Sequence, residues 1–178
     1  SELNSLWFKN ILKPKLDKPR LLYVGRMKVE KGIFSLTKIL NEINIDFEFS
    51  VVGGDAEKFS KKDINNKKII FCQFYNKTDL LINCYDQHNI FILPSFTEAH
   101  PKVIDESLAR LRPVIIFEEI KHIVQNRKGI FVSKRNSKSL LETINFITKN
   151  YESIQKSMQT NTLPTKKNFI LQMTSILS

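Results

Sequence analysis

The chain is expected to fold as an α/β domain, a Rossmann-like doubly wound parallel sheet of about six strands. Three features of the sequence predict this: six short runs rich in β-branched and aromatic residues, amphipathic stretches at helical spacing between them, and glycine- or proline-bearing turns after several runs. Runs that are apolar on both faces imply a parallel sheet covered on both sides, and alternation of strand with helix implies right-handed crossovers. In such a sheet ligands bind outside the carboxyl ends of the strands.

Residues 1–19 are expected to be a leading linker or interdomain segment, because Lys13-Pro14-Lys15-Leu16-Asp17-Lys18-Pro19 places two prolines close together and disfavours a continuing helix. The first strand is expected over 21–25. Ile33, Leu36, Ile39, Leu40 and Ile43 then repeat at helical spacing. Further strands are expected over 47–53, 69–72 and 90–93, with a helix carrying Leu80, Leu81 and Cys84 before the last of these. Pro101 suits an early position in the next helix. The fifth and sixth strands are expected over 113–117 and 129–132, and Asn136 or Ser137 caps a helix carrying Leu140, Leu141, Ile144 and Ile147. The main domain is thus expected over 20–160. Leu163-Pro164-Thr165 breaks the pattern before Phe169, Ile170, Met173, Ile176 and Leu177 resume one, so 161–178 is expected to hold a separate crossover helix. The lysine pairs Lys61-Lys62 and Lys67-Lys68 read as solvated loops.

At 178 residues the chain suffices for one well-buried core, with 42% hydrophobic and 26% charged residues. Its net charge of +10 favours anionic partners without choosing among them. No basic stripe with interleaved aromatics points to nucleic acid. Cys72 and Cys84 lack CxxC spacing, and His88, His100 and His122 lack HxH or HxxxH spacing, so neither a metal site nor a bound cofactor is expected. With no run of ~20 apolar residues and no signal-peptide pattern, the chain is expected to be soluble and cytoplasmic, with a charge compatible with peripheral contact with a membrane.

Three segments that follow strands could carry chemistry. Gly25-Arg26-Met27-Lys28-Val29-Glu30-Lys31-Gly32 offers two cations, Arg26 and Lys31, suited to a diphosphate. Val52-Gly53-Gly54-Asp55 permits a tight turn near a ligand, without the GxGxxG fingerprint of dinucleotide sites. Pro94-Ser95-Phe96-Thr97-Glu98-Ala99-His100-Pro101-Lys102-Val103 leads into a helix that carries Glu106. Carboxylates accept from sugar and ribose hydroxyls, whereas cations and a helix N-terminus suit phosphates. Taken singly, each segment also has an ordinary reading: a solvated basic turn, a βα turn, or two surface acids around a helix start. Asn126-Arg127-Lys128-Gly129 reads as scaffold.

Together these residues resemble the C-terminal nucleotide-sugar-binding domain of the GT-B-fold retaining glycosyltransferases of family 4, over about residues 21–150. The resemblance rests on the Gly25-Arg26 loop ending in Lys31-Gly32, the Pro94-Ser95 turn leading to a Glu-x7-Glu pair at Glu98 and Glu106, and Arg112-Pro113-Val114. It implies that Arg26 and Lys31 bind and stabilise the donor diphosphate, that Glu98 faces the transferred sugar, and that Glu106 holds the ribose. It further implies that Gly25, Gly53 and the backbone from Ala99 through His100, Pro101, Lys102 and Val103 help to bind the donor. On this basis the chain is expected to be one half of a GT-B enzyme that passes a sugar from a nucleoside diphosphate to a saccharide or lipid-linked acceptor, inactive without its N-terminal half. The alternative is a non-catalytic nucleotide-binding or scaffolding module. The sequence departs from the family pattern at Ala99-His100-Pro101, at Leu111, and at Glu118-Glu119, where a Gly-Gly pair is usual.

Overall fold

The computed structural model describes residues 2–54, 57 and 69–165. Strands β1 (Arg20–Val24), β2 (Glu48–Val52), β3 (Ile69–Cys72), β4 (Ile90–Leu93), β5 (Val114–Phe117) and β6 (Ile130–Ser133) form one parallel sheet in the order β3-β2-β1-β4-β5-β6. Each expected strand is present within a residue or two of its expected place. The four inner strands are almost wholly buried, as strands covered on both faces must be. The edge strands are less covered: β3 has no fully buried position, with Ile70 exposed, and β6 buries only Ile130 and Ser133.

Among the described residues five α-helices cover the sheet: α1 (Ile33–Asn41), α2 (Thr78–Asp86), α3 (Lys102–Ala109), α4 (Ser137–Lys149) and α5 (Tyr151–Met158). Helix α1 buries Ile33, Leu36, Ile39 and Leu40, and α4 buries Leu140, Ile144 and Ile147, as their spacing predicts. Asn136 caps α4, its side chain accepting from the Ser139 amide at 2.8 Å. Leu80, expected on the buried stripe of α2, is instead exposed, because that helix turns Cys84, Tyr85 and Asp86 inward.

The segment expected as a leading linker contributes to the core. Asn4 caps a 3-10 turn over Ser5–Phe8, burying Trp7 edge-on against Tyr85 at 5.5 Å between ring centres. Leu3 is buried as well, and its amide donates to the Pro164 carbonyl at 2.9 Å. The Arg110 guanidinium holds this segment, donating to the carbonyls of Trp7, Lys9 and Asn10 while pairing with Asp86 at 2.6 Å.

Strand order reverses between β1 and β4, which are neighbours in the sheet with Leu21 opposite Ile90. The loops leaving their carboxyl ends diverge and open a crevice between them. The expected final helix, Asp55 and the lysine pairs at 61–62 and 67–68 lie outside the described residues.

Candidate functional site

A cleft of about 410 Å³ opens at the carboxyl ends of β1 and β4. Gly25, Arg26 and Lys31 line one side, Leu93 and Glu98 the other, and Pro101, Lys102 and Val103 the start of α3, with Phe74 at the edge. The Gly25 amide donates to the Val52 carbonyl at 3.1 Å, so the first loop leaves the sheet only after one more rung of pairing. The buried Tyr23 then donates its hydroxyl to the Arg26 carbonyl at 2.7 Å, which fixes the base of the loop. Burial, with a smaller contribution from the Glu98 charge, pushes the pKa of that phenol above its ordinary value and keeps it a donor.

Gly32 ends the basic loop in the left-handed region, at φ 71°. A Cβ there would lie 1.9 Å from the Pro94 carbonyl oxygen, so the two loops that wall the cleft meet backbone to backbone. That approach brings Lys31 within 2.7 Å of Glu98. The same Glu98 oxygen accepts from the Ser95 hydroxyl at 2.7 Å, and a His122 ring nitrogen lies 3.0 Å from the Glu98 carbonyl. Glu98 is thus oriented from three sides, and its side chain is only 9% exposed.

Pro101 occupies the N-cap position of α3, and the first turn carries no side-chain cap. The helix therefore starts without a side-chain cap, and its first residues, Lys102 and Val103, line the same cleft as Arg26 and Lys31. One turn further in, Glu106 is buried and its Oε2 has no hydrogen-bond partner among the described residues. Burial pushes its carboxyl up to about 7, while Lys102 and the neighbouring Tyr85 hydroxyl act in the opposite sense.

Of the residues singled out in the sequence, Gly25, Arg26, Lys31, Glu98, Pro101, Lys102 and Val103 line one cleft. Gly53 adjoins it: a Cβ there would lie 2.8 Å from the Gly25 carbonyl oxygen and 2.7 Å from the Phe74 ring. Glu106 lies beneath the start of α3. Ala99 and His100 line a second cleft of about 480 Å³ on the far side of the same loop, with Asp105, Gln125, Arg127 and Asn161. Arg127, read as scaffold, pairs there with Asp105 at 2.7 Å. The second cleft is the larger, but it lies away from the β1/β4 reversal and from the Lys31–Glu98 pair. Phe74, 62% exposed at the edge of the first cleft, carried no signal in the sequence beyond an aromatic following a strand.

Among the described residues no group of three His, Cys, Asp or Glu side chains is placed to hold a metal. No helix among them is long and apolar enough to cross a membrane. Both cysteines are free thiols, and burial pushes that of Cys84 up to about 12.

Residues 7–173 match the model of the family described as glycosyl transferases group 1. An uncharacterized glycosyltransferase of Haemophilus influenzae is 28% identical over 142 residues, covering 75% of this chain and 40% of that protein. A putative teichuronic acid biosynthesis glycosyltransferase of Bacillus subtilis is 29% identical over 134 residues, 72% of this chain and 33% of that protein. The chain therefore spans about two fifths or less of the curated relatives it matches. Sucrose-phosphate synthase from Thermosynechococcus elongatus superposes with a TM-score of 0.71 at 20% identity, covering 92% of this chain and 45% of that one. Anabaena HepE in complex with UDP gives 0.71 at 16% identity, covering 89% and 48%. At such identities the likeness establishes the fold, the Rossmann-like sheet of GT-B glycosyltransferases.

Proposed function

The chain belongs to the glycosyl transferases group 1 family, and from that premise we propose that it is the donor-binding, C-terminal half of a retaining GT-B enzyme of family 4. Its ligand is a nucleoside-diphosphate sugar. The observation that carries this reading is the convergence of Arg26, Lys31, Glu98 and the start of α3 on one cleft at the strand-order reversal. Solved structures of Anabaena HepE that share the fold contain UDP or UDP-glucose, which supports the ligand class.

In this reading Arg26, Lys31 and the amides of Lys102 and Val103 take the diphosphate. Glu98 accepts hydroxyls of the transferred sugar, Glu106 takes the ribose, and exposed Phe74 offers a ring to the base. Gly25 and Gly53 let backbone approach the ligand, while Ala99, His100 and Pro101 turn the loop past the sugar. When the bond between the anomeric carbon and the diphosphate oxygen breaks, negative charge grows on the leaving group. Preorganised cations stabilise that charge more than they stabilise the ground state, which lowers the barrier without a metal or cofactor. The acceptor hydroxyl oxygen forms the new bond to the anomeric carbon, and its proton passes to the departing diphosphate oxygen. Lys31 is held ready by Glu98 before the donor arrives, so its side chain need only turn from carboxylate to phosphate.

The acceptor, a saccharide or lipid-linked one, is bound by an N-terminal half, without which this half is inactive. We assign residues 20–160 to the donor domain, 1–19 to its connection with the other half and 161–178 to the return crossover. Cytoplasmic residence, with the basic chain meeting an anionic membrane surface, completes the reading.

Calorimetric titration of the protein at its full natural length with a panel of UDP-, GDP- and ADP-sugars tests this. One donor class is expected to bind, and Arg26→Ala and Lys31→Ala are each expected to weaken it by about 10- to 100-fold, the value of a charge-assisted hydrogen bond. Affinity equal to wild type in both variants would sink the assignment. Binding without any sugar transfer would favour a nucleotide-binding module that lacks catalysis.

A further inference from the structure

Arg135 belongs to none of the motifs that mark the site in the sequence and lies two residues beyond the end of β6. Its side chain nevertheless crosses the carboxyl end of β5 to reach that of β4. The guanidinium sits 4.0 Å from the ring centre of Phe96 and 4.4 Å from that of Phe117, between two aromatic rings. Nη2 donates to the Pro94 carbonyl at 2.8 Å and approaches that of Ser95 at 3.5 Å. Nη1 donates to the Ser35 hydroxyl at 3.3 Å, and Nε donates to Glu119 at 2.7 Å. With its nitrogens so committed and its side chain 15% exposed, Arg135 is not a phosphate ligand.

We infer that Arg135 is a positioning residue of the donor cleft, holding residues 94–98 in the shape that presents Glu98 to Lys31, and that Glu119 in turn holds Arg135. The inference rests on the donor reading of the cleft. Residues 94–98 have no helix or strand of their own, so side chains must hold their shape. The Phe96 amide donates to the Glu30 carbonyl at 3.0 Å, tying the loop to the basic loop opposite. Arg135 grips the same stretch from the other side, by a carbonyl before Phe96 and by the Phe96 ring. A planar fork can do both at once, whereas a lysine ammonium is a single point of charge. Glu119, which in the sequence is only a departure from the family's Gly-Gly pair, is one anchor of this bridge. Ends of β4, β5 and β6 and the start of α1 are thereby fastened together behind the cleft.

The test combines amide hydrogen exchange with nucleotide titration in the full-length protein, for wild type, Arg135→Ala, Arg135→Lys and Phe96→Leu. In the absence of ligand, Arg135→Ala is expected to speed exchange of the Phe96 amide by about tenfold or more while the amides of Phe49 and Ile92 in the sheet keep their protection. Its affinity for the nucleoside diphosphate is expected to fall about tenfold, and Arg135→Lys to recover neither property. A Phe96 amide as protected in Arg135→Ala as in wild type overturns the inference whatever the nucleotide does. A loosened loop with unchanged affinity also overturns it and leaves the donor reading standing, as does full recovery by lysine. If wild type binds no nucleotide, the donor reading fails and the positioning role with it. Should Arg135→Ala lose protection throughout the sheet, Phe96→Leu removes the exposed ring from the bridge without opening the core. It carries the same comparison: loosening and weakened affinity support the bridge, and wild-type behaviour overturns it.

Discussion

Glu106 shows how a residue legible in the sequence acquires its chemistry only from its surroundings. The Glu-x7-Glu spacing of the family resemblance singles it out, but nothing in the sequence indicates that its carboxyl lies buried with one oxygen unpartnered among the described residues. Burial holds its proton more tightly in the fold, at about 7, than the ordinary carboxyl value of 4.5. Folding stability from this group is therefore full at acidic pH and is lost as pH rises from 4.5 to 7, by about 3 kcal/mol at most. Glu106→Gln should flatten the decline in urea-unfolding free energy between acidic and mildly alkaline pH. It should also weaken nucleotide binding, since an amide oxygen is a poorer acceptor for ribose hydroxyls than a carboxylate. An unchanged slope in the variant would show that other groups set it. The Lys31–Glu98 pair is the opposite case: the sequence marks each residue as a ligand of a different part of the donor and carries no sign of their mutual contact. Residues 67 positions apart in the chain meet only because two loops do.

At the scale of elements, local propensity explains most of what forms and packing explains the exceptions. Gly32 closes the 3-10 turn over Val29–Lys31 in a left-handed conformation and opens α1. Because its missing side chain is also what lets the Pro94 carbonyl approach, Gly32→Ala should cost about 3 kcal/mol, the sum of backbone strain and steric displacement. Chemical denaturation would register it, and a change below about 1 kcal/mol would mean the loops separate easily. The family's small residue before the Arg-Pro-Val turn is replaced here by Leu111, which takes φ 54° where glycine would pay no steric penalty. Arg112 itself is a buried staple, donating to the carbonyls of His88, Arg110 and Asp86, so this motif serves the sheet rather than the ligand. Leu80, one of three apolar residues at helical spacing in the sequence, faces solvent because α2 turns Cys84, Tyr85 and Asp86 inward.

For the whole molecule, the buried Asp86–Arg110 pair is the clasp. It joins α2 to the end of α3, and through the carbonyls of Trp7, Lys9 and Asn10 it fixes the N-terminal segment against them. Asp86→Ala would leave a guanidinium buried without its counter-charge and is expected to destabilise the protein by about 3–5 kcal/mol. The melting temperature should fall accordingly. A variant as stable as wild type would mean that the carbonyls alone satisfy Arg110. This clasp explains why the first residues, which composition marks as a linker, bury Leu3 and Trp7.

The sequence by itself determined the α/β class, the six strands to within a residue or two, and Arg26, Lys31, Lys102 and Glu98 among the charged residues that line the cleft. It could do so because strand burial and turn chemistry are local properties, written in apolar runs and in glycines and prolines at their ends. Only the tertiary structure decided that Lys31 rests on Glu98, that Glu106 is held near neutrality, that Ala99 and His100 face a different cleft, and that Arg135 braces the loop from two strands away. Each of those depends on distance and desolvation between residues remote in the chain. The strand order brings them together, and linear spacing carries no trace of it.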